Sequence, residues 1–297
     1  MTNEHPPHVG LGSSQGDAHS TAQGILRNAL GALRNLAELL RSTRVAPKAV
    51  ASVLPHVVEA CTPMREATGT LLDALSSPSL DEGRIALHDF LLPRLSLLEE
   101  ALREAATKPM SAASRIRLEE IVGKCSFELD AARELLQMLE ESSSERSVYL
   151  EPTELVREAF TSPPSARGGD QDGICAVLTS RSDGLEIDTN PRVAMTLLSL
   201  GVELVAQGKS PSGDPTLSIH ADPRTGGCRI EVSRFPHATG EPLILIPRGV
   251  IEPTLTCLRV AARMGGGRLD WDEKRAAFSL SYPLASAASS MNRGLAG

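Results

Sequence analysis

The stretch Leu87-His88-Asp89-Phe90-Leu91-Leu92-Pro93 lies near the start of a long amphipathic segment, and its reading decides the rest. A histidine followed at once by a carboxylate, with a proline five residues on, is an odd thing to place inside a helix. Proline there removes a backbone donor and clashes with the preceding turn, at a cost of about 3 kcal/mol. An imidazole displayed for phosphoryl transfer would justify that cost. Imidazole is nucleophilic while neutral near pH 7. A carboxylate at Asp89 can take its N–H proton, fix the tautomer and raise basicity. Pro93 then serves as a local kink that opens the helix ladder and leaves space for a docking partner. His88 also falls three residues before Leu91, in line with the apolar seam, so a satisfied core histidine is the competing reading.

Working outward, a helix begins near Asp81, an acidic residue suited to the positive end of the helix dipole. It carries His88 and the seam Leu91, Leu95, Leu98 and Leu102, and ends at the turn Lys108-Pro109-Met110-Ser111. The next helix, about 112–142, repeats Leu118, Val122, Cys125, Leu129, Ala132, Leu136 and Leu139 at heptad spacing. Such a hairpin has one apolar face and must pair with something: the N-terminal helices, a second copy of itself, or both. Before it, residues 20–44 show the seam Leu26, Leu30, Leu33, Ala37 and Leu40. A second apolar pattern, Val50 to Leu75, is interrupted by Pro55 and Pro63, which predicts a kinked helix or two shorter ones. His56 lies beside that stripe as a structural histidine, and Ser76-Ser77-Pro78-Ser79 breaks the chain. Residues 1–18 read as a disordered tail, with His5, His8 and His19 solvated in or beside it.

Beyond Ser142-Ser143-Ser144 the character changes. A short helix is expected at 154–160, strands at 173–180 and 185–188, and a helix at 191–207 with Pro191 in its first turn. Strands follow at 216–220 and 228–233, then a loop over 240–249. A helix at 251–264 ends at Gly265-Gly266-Gly267, and a hairpin of strands at 268–272 and 277–282 closes the order. That order describes helices on one face of a mixed sheet. The fold class is α plus α/β: helical hairpins forming a bundle, then an α/β sandwich. The domains are a tail 1–18, an N-terminal helical pair 19–79, a hairpin 80–145, a sandwich 146–285 and a mobile tail 286–297.

Composition agrees with helical packing, since only 3% of the 297 residues are aromatic. A net charge of −7 without a basic stripe speaks against nucleic acid and against an anionic membrane surface. Cys61, Cys125, Cys175, Cys228 and Cys257 are far apart and never in a CxxC pair, so neither a disulfide framework nor a zinc site is expected. The polar N-terminus lacks the apolar core of a signal peptide, and no apolar run approaches membrane-spanning length. A cytoplasmic protein follows as the expectation.

Residues 81–284 together resemble a bacterial histidine kinase core, a dimerisation-and-phosphotransfer hairpin followed by a GHKL-type, Bergerat-fold ATP-binding sandwich. His88-Asp89-Phe90-Leu91-Leu92-Pro93 has that family's His, acidic and Pro residues at the family's spacing. The run Tyr149-Leu150-Glu151-Pro152-Thr153-Glu154-Leu155-Val156 looks like its lead into the sandwich, and Ala262 to Leu269 like its last helix, glycine turn and strand. The two N-terminal helices lie outside the resemblance. Three departures run through the nucleotide boxes. The helix that would carry a magnesium-holding Asn reads Leu200-Gly201-Val202-Glu203-Leu204-Val205-Ala206-Gln207-Gly208, with Glu203 and Gln207 as the nearest polar residues. Glu203 reads there as a surface or capping group. The strand Arg229-Ile230-Glu231-Val232-Ser233 runs into Arg234-Phe235-Pro236-His237 with no Asp-x-Gly turn. The phosphate-cradling lid has a single glycine, in Leu245-Ile246-Pro247-Arg248-Gly249-Val250, where a cradle needs successive N–H groups in glycine-permitted conformations.

The resemblance, less its nucleotide boxes, implies a degenerate sandwich with no cofactor and no metal of its own. It implies a histidine phosphotransferase in which His88 accepts, Asp89 orients and Pro93 opens the helix. The partners would be receiver domains of response regulators, which bring their own magnesium, and a histidine kinase. The alternatives are a non-catalytic pseudokinase adaptor working through the same hairpin, and a divergent active kinase. The family habit implies a homodimer whose two hairpins form a four-helix bundle; the N-terminal pair could instead complete that bundle within one chain.

Overall fold

The computed structural model describes residues 13–42, 44–143, 147–161, 174–180, 185–208, 213–222, 227–236, 238–245 and 247–284. The chain divides into two compact units, Met1–Ser76 with Leu87–Asp130, and Ser77–Ala86 with Ala131–Gly297. The expected α plus α/β architecture is the observed one: four long helices, then a sheet with three helices.

The first unit is built from α1 (Ser13–Arg41), α2 (Pro47–Ala74) and most of α3 (Asp81–Thr107) and α4 (Ala112–Ser142). Every predicted seam residue of α1 is buried, and Leu91, Leu95, Leu98 and Leu102 of α3 are no more than 2% exposed. Side-chain bridges mark a closed ring of neighbours. α1 packs along α2. Arg65 of α2 reaches Glu99 of α3 at 2.7 Å. Arg94 of α3 meets Glu128 of α4 at 3.5 Å. Arg34 of α1 meets the buried Asp130 of α4 at 2.6 Å. Arg115, in the first turn of α4, donates to the carbonyls of Leu39, Leu40, Ser42 and Val45, so one guanidinium satisfies the C-terminal end of α1. A four-helix bundle therefore closes within one chain. The apolar face that a second copy of the hairpin would cover is covered by α1 and α2.

Two expectations change here. α1 starts at Ser13, so residues 13–18 are helical rather than tail; extending a formed helix adds a hydrogen bond for each residue ordered. Residues 1–12 and 285–297 lie outside the described residues. α2 is also one helix, running through both Pro55 and Pro63. These prolines are eight residues apart on the exposed face, and the carbonyls they leave unpaired belong to the exposed residues Ala51 and Glu59, within reach of water.

The second unit holds a six-stranded mixed sheet of order β6-β2-β4-β5-β8-β7. Its strands are β2 (Ile174–Ser180), β4 (Asp214–Asp222), β5 (Gly227–Phe235), β6 (Glu241–Leu245), β7 (Arg268–Asp272) and β8 (Ala277–Pro283). β2 and β4 are parallel; the other neighbours are antiparallel. β1 (Val148–Leu150) and β3 (Ile187–Thr189) form a separate antiparallel pair, so the strand expected at 185–188 exists but not in the main sheet. The loop expected over 240–249 contains β6. Pro242 hid that strand, and an edge strand tolerates proline because no neighbour needs its missing N–H.

Helices α5 (Pro152–Thr161), α6 (Pro191–Gln207) and α7 (Thr254–Met264) cover the apolar face, where Leu217, Ile219, Ile230, Val232, Phe278 and Leu280 are buried. Gly201 lets α6 lie flat, since a Cβ there would come within 2.8 Å of the Phe278 ring. Asn190 caps α6 by accepting from the N–H groups of Arg192 and Val193, while its amide nitrogen donates to the Glu141 carbonyl near the end of α4.

Candidate functional site

α3 holds His88 outward by burying its neighbours. Leu87 and Leu91 are buried in the core, and Phe90 is buried beneath the Arg94 guanidinium, which lies 3.9 Å from the ring centroid. The side chain of His88 between them is 51% exposed and that of Asp89 73%. The ring is thus not a core group, and solvent and a macromolecule can both reach it. Its Nδ1 lies 3.2 Å from Asp89 Oδ1, at the long end of the hydrogen-bond range. With the proton on Nδ1 and donated to Asp89, the lone pair of Nε2 is left as the nucleophile. Pro93 is exposed and α3 runs unbroken through it. The N–H it lacks is the one that would pair with the carbonyl of Asp89, so the ladder is open at the residue beside the histidine.

The sandwich contains a second constellation, and the sequence misjudged it. Glu203 is not a surface group: it is 1% exposed on the inner side of α6. Its Oε2 accepts from the N–H of Arg248 at 2.9 Å and its Oε1 from the N–H of Gly249 at 2.7 Å. Arg248 also donates from Nη1 to Thr196 Oγ1 at 3.2 Å, and Gly249 takes φ +100°, a conformation glycine adopts without strain. The segment after β6 does therefore present two successive backbone N–H groups to an anion, and the anion is the chain's own carboxylate. Sequence reasoning looked for glycines here and took the acidic residue in the fourth turn of α6 for a surface or capping group.

Gln207 is exposed at the C-terminal end of α6, one turn beyond Glu203. That end is closed by Arg234, which donates to the carbonyls of Ala206 and Gly208. His56 is exposed, with Glu59 3.9 Å away, so it is no core histidine. His220 sits half-buried on β4, and His237 lies outside the described residues. Among the described residues no group of three His, Cys, Asp or Glu side chains could hold a metal. None of the helices described is long and apolar enough to cross a membrane.

Comparison with known proteins adds one finding. No family model and no curated protein sequence matches the chain. Among solved structures it is similar to the histidine kinase AdeS of Acinetobacter baumannii, at 12% identity and a TM-score of 0.40, over 65% of this chain and 96% of that one. A likeness at this level concerns the arrangement of helices and strands, and the chemistry rests on the side chains just described.

Proposed function

We propose that this protein is a histidine phosphotransfer protein of two-component signalling, passing phosphoryl groups to and from receiver-domain aspartates through His88, without ATP. The observation that carries the reading is the outward His88 ring with Asp89 on its Nδ1. In the forward step the Nε2 lone pair attacks the phosphorus of a receiver's aspartyl phosphate. An N–P bond forms, the P–O bond to the aspartate breaks, and the aspartate leaves as a carboxylate. The Nδ1 proton stays hydrogen-bonded to Asp89, which offsets the positive charge developing on the ring. The receiver brings its own magnesium. What this chain must supply is a positioned nucleophile and a face to dock on.

The absence of an ATP step in this proposal rests on Glu203. A carboxylate seated on the N–H groups of Arg248 and Gly249 both fills those donors and repels a phosphate from them. The test is direct: a receiver domain phosphorylated with phosphoramidate is mixed with the protein. The expected result is acid-labile, alkali-stable label on this chain, abolished by His88→Gln. Label that survives His88→Gln, or no transfer from any receiver of the same cell, overturns the reading. A His88→Gln protein that keeps its effect on a kinase or receiver would favour the adaptor alternative.

A further inference from the structure

The first turns of α3 belong to the same compact unit as the sandwich. Leu80, in the 3₁₀ turn Pro78–Leu80 that leads into α3, is 2% exposed, and α7 packs against that turn. Gly83 then brings the α3 backbone close. A Cβ at this position would meet Leu139 Cδ1 of α4 at 2.9 Å and Val260 Cβ of α7 at 3.7 Å. Cys257 of α7, wholly buried, lies with its Sγ 3.9 Å from the Gly83 carbonyl. At the rim Arg263 of α7 is ion-paired with Glu82. Gly83 precedes His88 by five residues on one unbroken helix.

We infer that α4 and α7 brace the first turns of α3 through Gly83, and that Gly83 is a positioning residue for phosphoryl transfer by His88, five residues on along the same helix. The inference rests on the proposed role of His88. A nucleophile that must line up with an acceptor on another protein gains rate from a rigid mount, because reaction geometry tolerates little displacement. A well-packed contact of backbone on side chains supplies that rigidity. It also gives α7 a task that needs no nucleotide.

Two experiments separate this inference from the reading beneath it. Glu82→Cys and Arg263→Cys are introduced with Cys175→Ser, and the pair is bridged by a short bismaleimide. The expected result is near-complete bridging and an unchanged rate of label transfer from a phosphoramidate-treated receiver. Loss of transfer on bridging, or failure to bridge, overturns the brace while leaving His88 in place. No transfer before bridging sinks the phosphotransfer reading instead. Second, Gly83→Leu should lower kcat roughly 10- to 100-fold with little change in KM, and Leu139→Ala should restore part of it by making room. Equal rates for Gly83→Leu and wild type overturn the inference. If Gly83→Leu fails to fold, the bridging result decides alone.

Discussion

Asp89 and Cys175 carry the tests at the scale of single residues. Asp89→Asn keeps the size of the side chain and one acceptor oxygen but removes the charge that faces the ring Nδ1 at 3.2 Å. Transfer through His88 should fall about 100-fold in kcat, with KM unmoved, since docking contacts are untouched. Single-turnover transfer at several receiver concentrations separates the two; a change confined to KM would assign Asp89 to docking. The cysteines give an independent check on packing. Burial pushes the thiols of Cys61, Cys125 and Cys228 up to about 11 and that of Cys257 up to about 12, so all four stay protonated and inert near neutrality. Cys175 is exposed. One equivalent of thiol should react rapidly with an aromatic disulfide reagent at pH 8, and Cys175→Ser should remove it. A second fast thiol would show that a cysteine drawn as buried is open.

At the scale of elements, what was legible in the sequence follows the physics of periodicity. The heptads of α4 and the seam of α1 could be read because a packed helix repeats its apolar contacts, and every residue named in those seams is buried. His88, Asp89 and Pro93 stood out because each breaks a helical habit. Features that depend on partners distant in the chain were not legible. β6 hid behind Pro242, and β1 was too short to show a pattern. The Glu203 clasp joins residues 45 and 46 positions apart, and neither half looks unusual alone. That clasp makes a prediction. Glu203→Ala strips two charge-assisted bonds and leaves two backbone donors without their acceptor, a loss of about 3 kcal/mol. Urea unfolding followed by the fluorescence of Trp271, the sole tryptophan and part of β7, should register it. Trypsin should then cleave after Arg248 in the variant well before it does so in wild type. Unchanged stability and cleavage would mean that other contacts hold this segment.

For the whole molecule, α1 and α2 take the place that a second hairpin would hold, which is one of the two arrangements the sequence left open. Ring closure is marked by the Arg65–Glu99, Arg94–Glu128 and Arg34–Asp130 pairs, but ion pairs whose arginines reach solvent contribute little, and the energy lies in the buried leucines. A bundle whose seam is already covered has no apolar motive to dimerise through that seam, so the intact chain should run in light scattering as a monomer of 31.5 kDa. Removing residues 1–76 uncovers Leu91, Leu95, Leu98 and Leu102 of α3 together with Leu118, Val122 and Leu129 of α4. Burying a single leucine is worth about 2 kcal/mol, so a stripe of this size cannot stay in water. The truncated chain should therefore self-associate, and dimers made by pairing two hairpins should keep helical circular dichroism and His88 labelling by phosphoramidate. A truncated chain that remains a folded monomer would show that α1 and α2 are not what closes the bundle. A full-length dimer would show instead that the protein associates through a surface other than this seam.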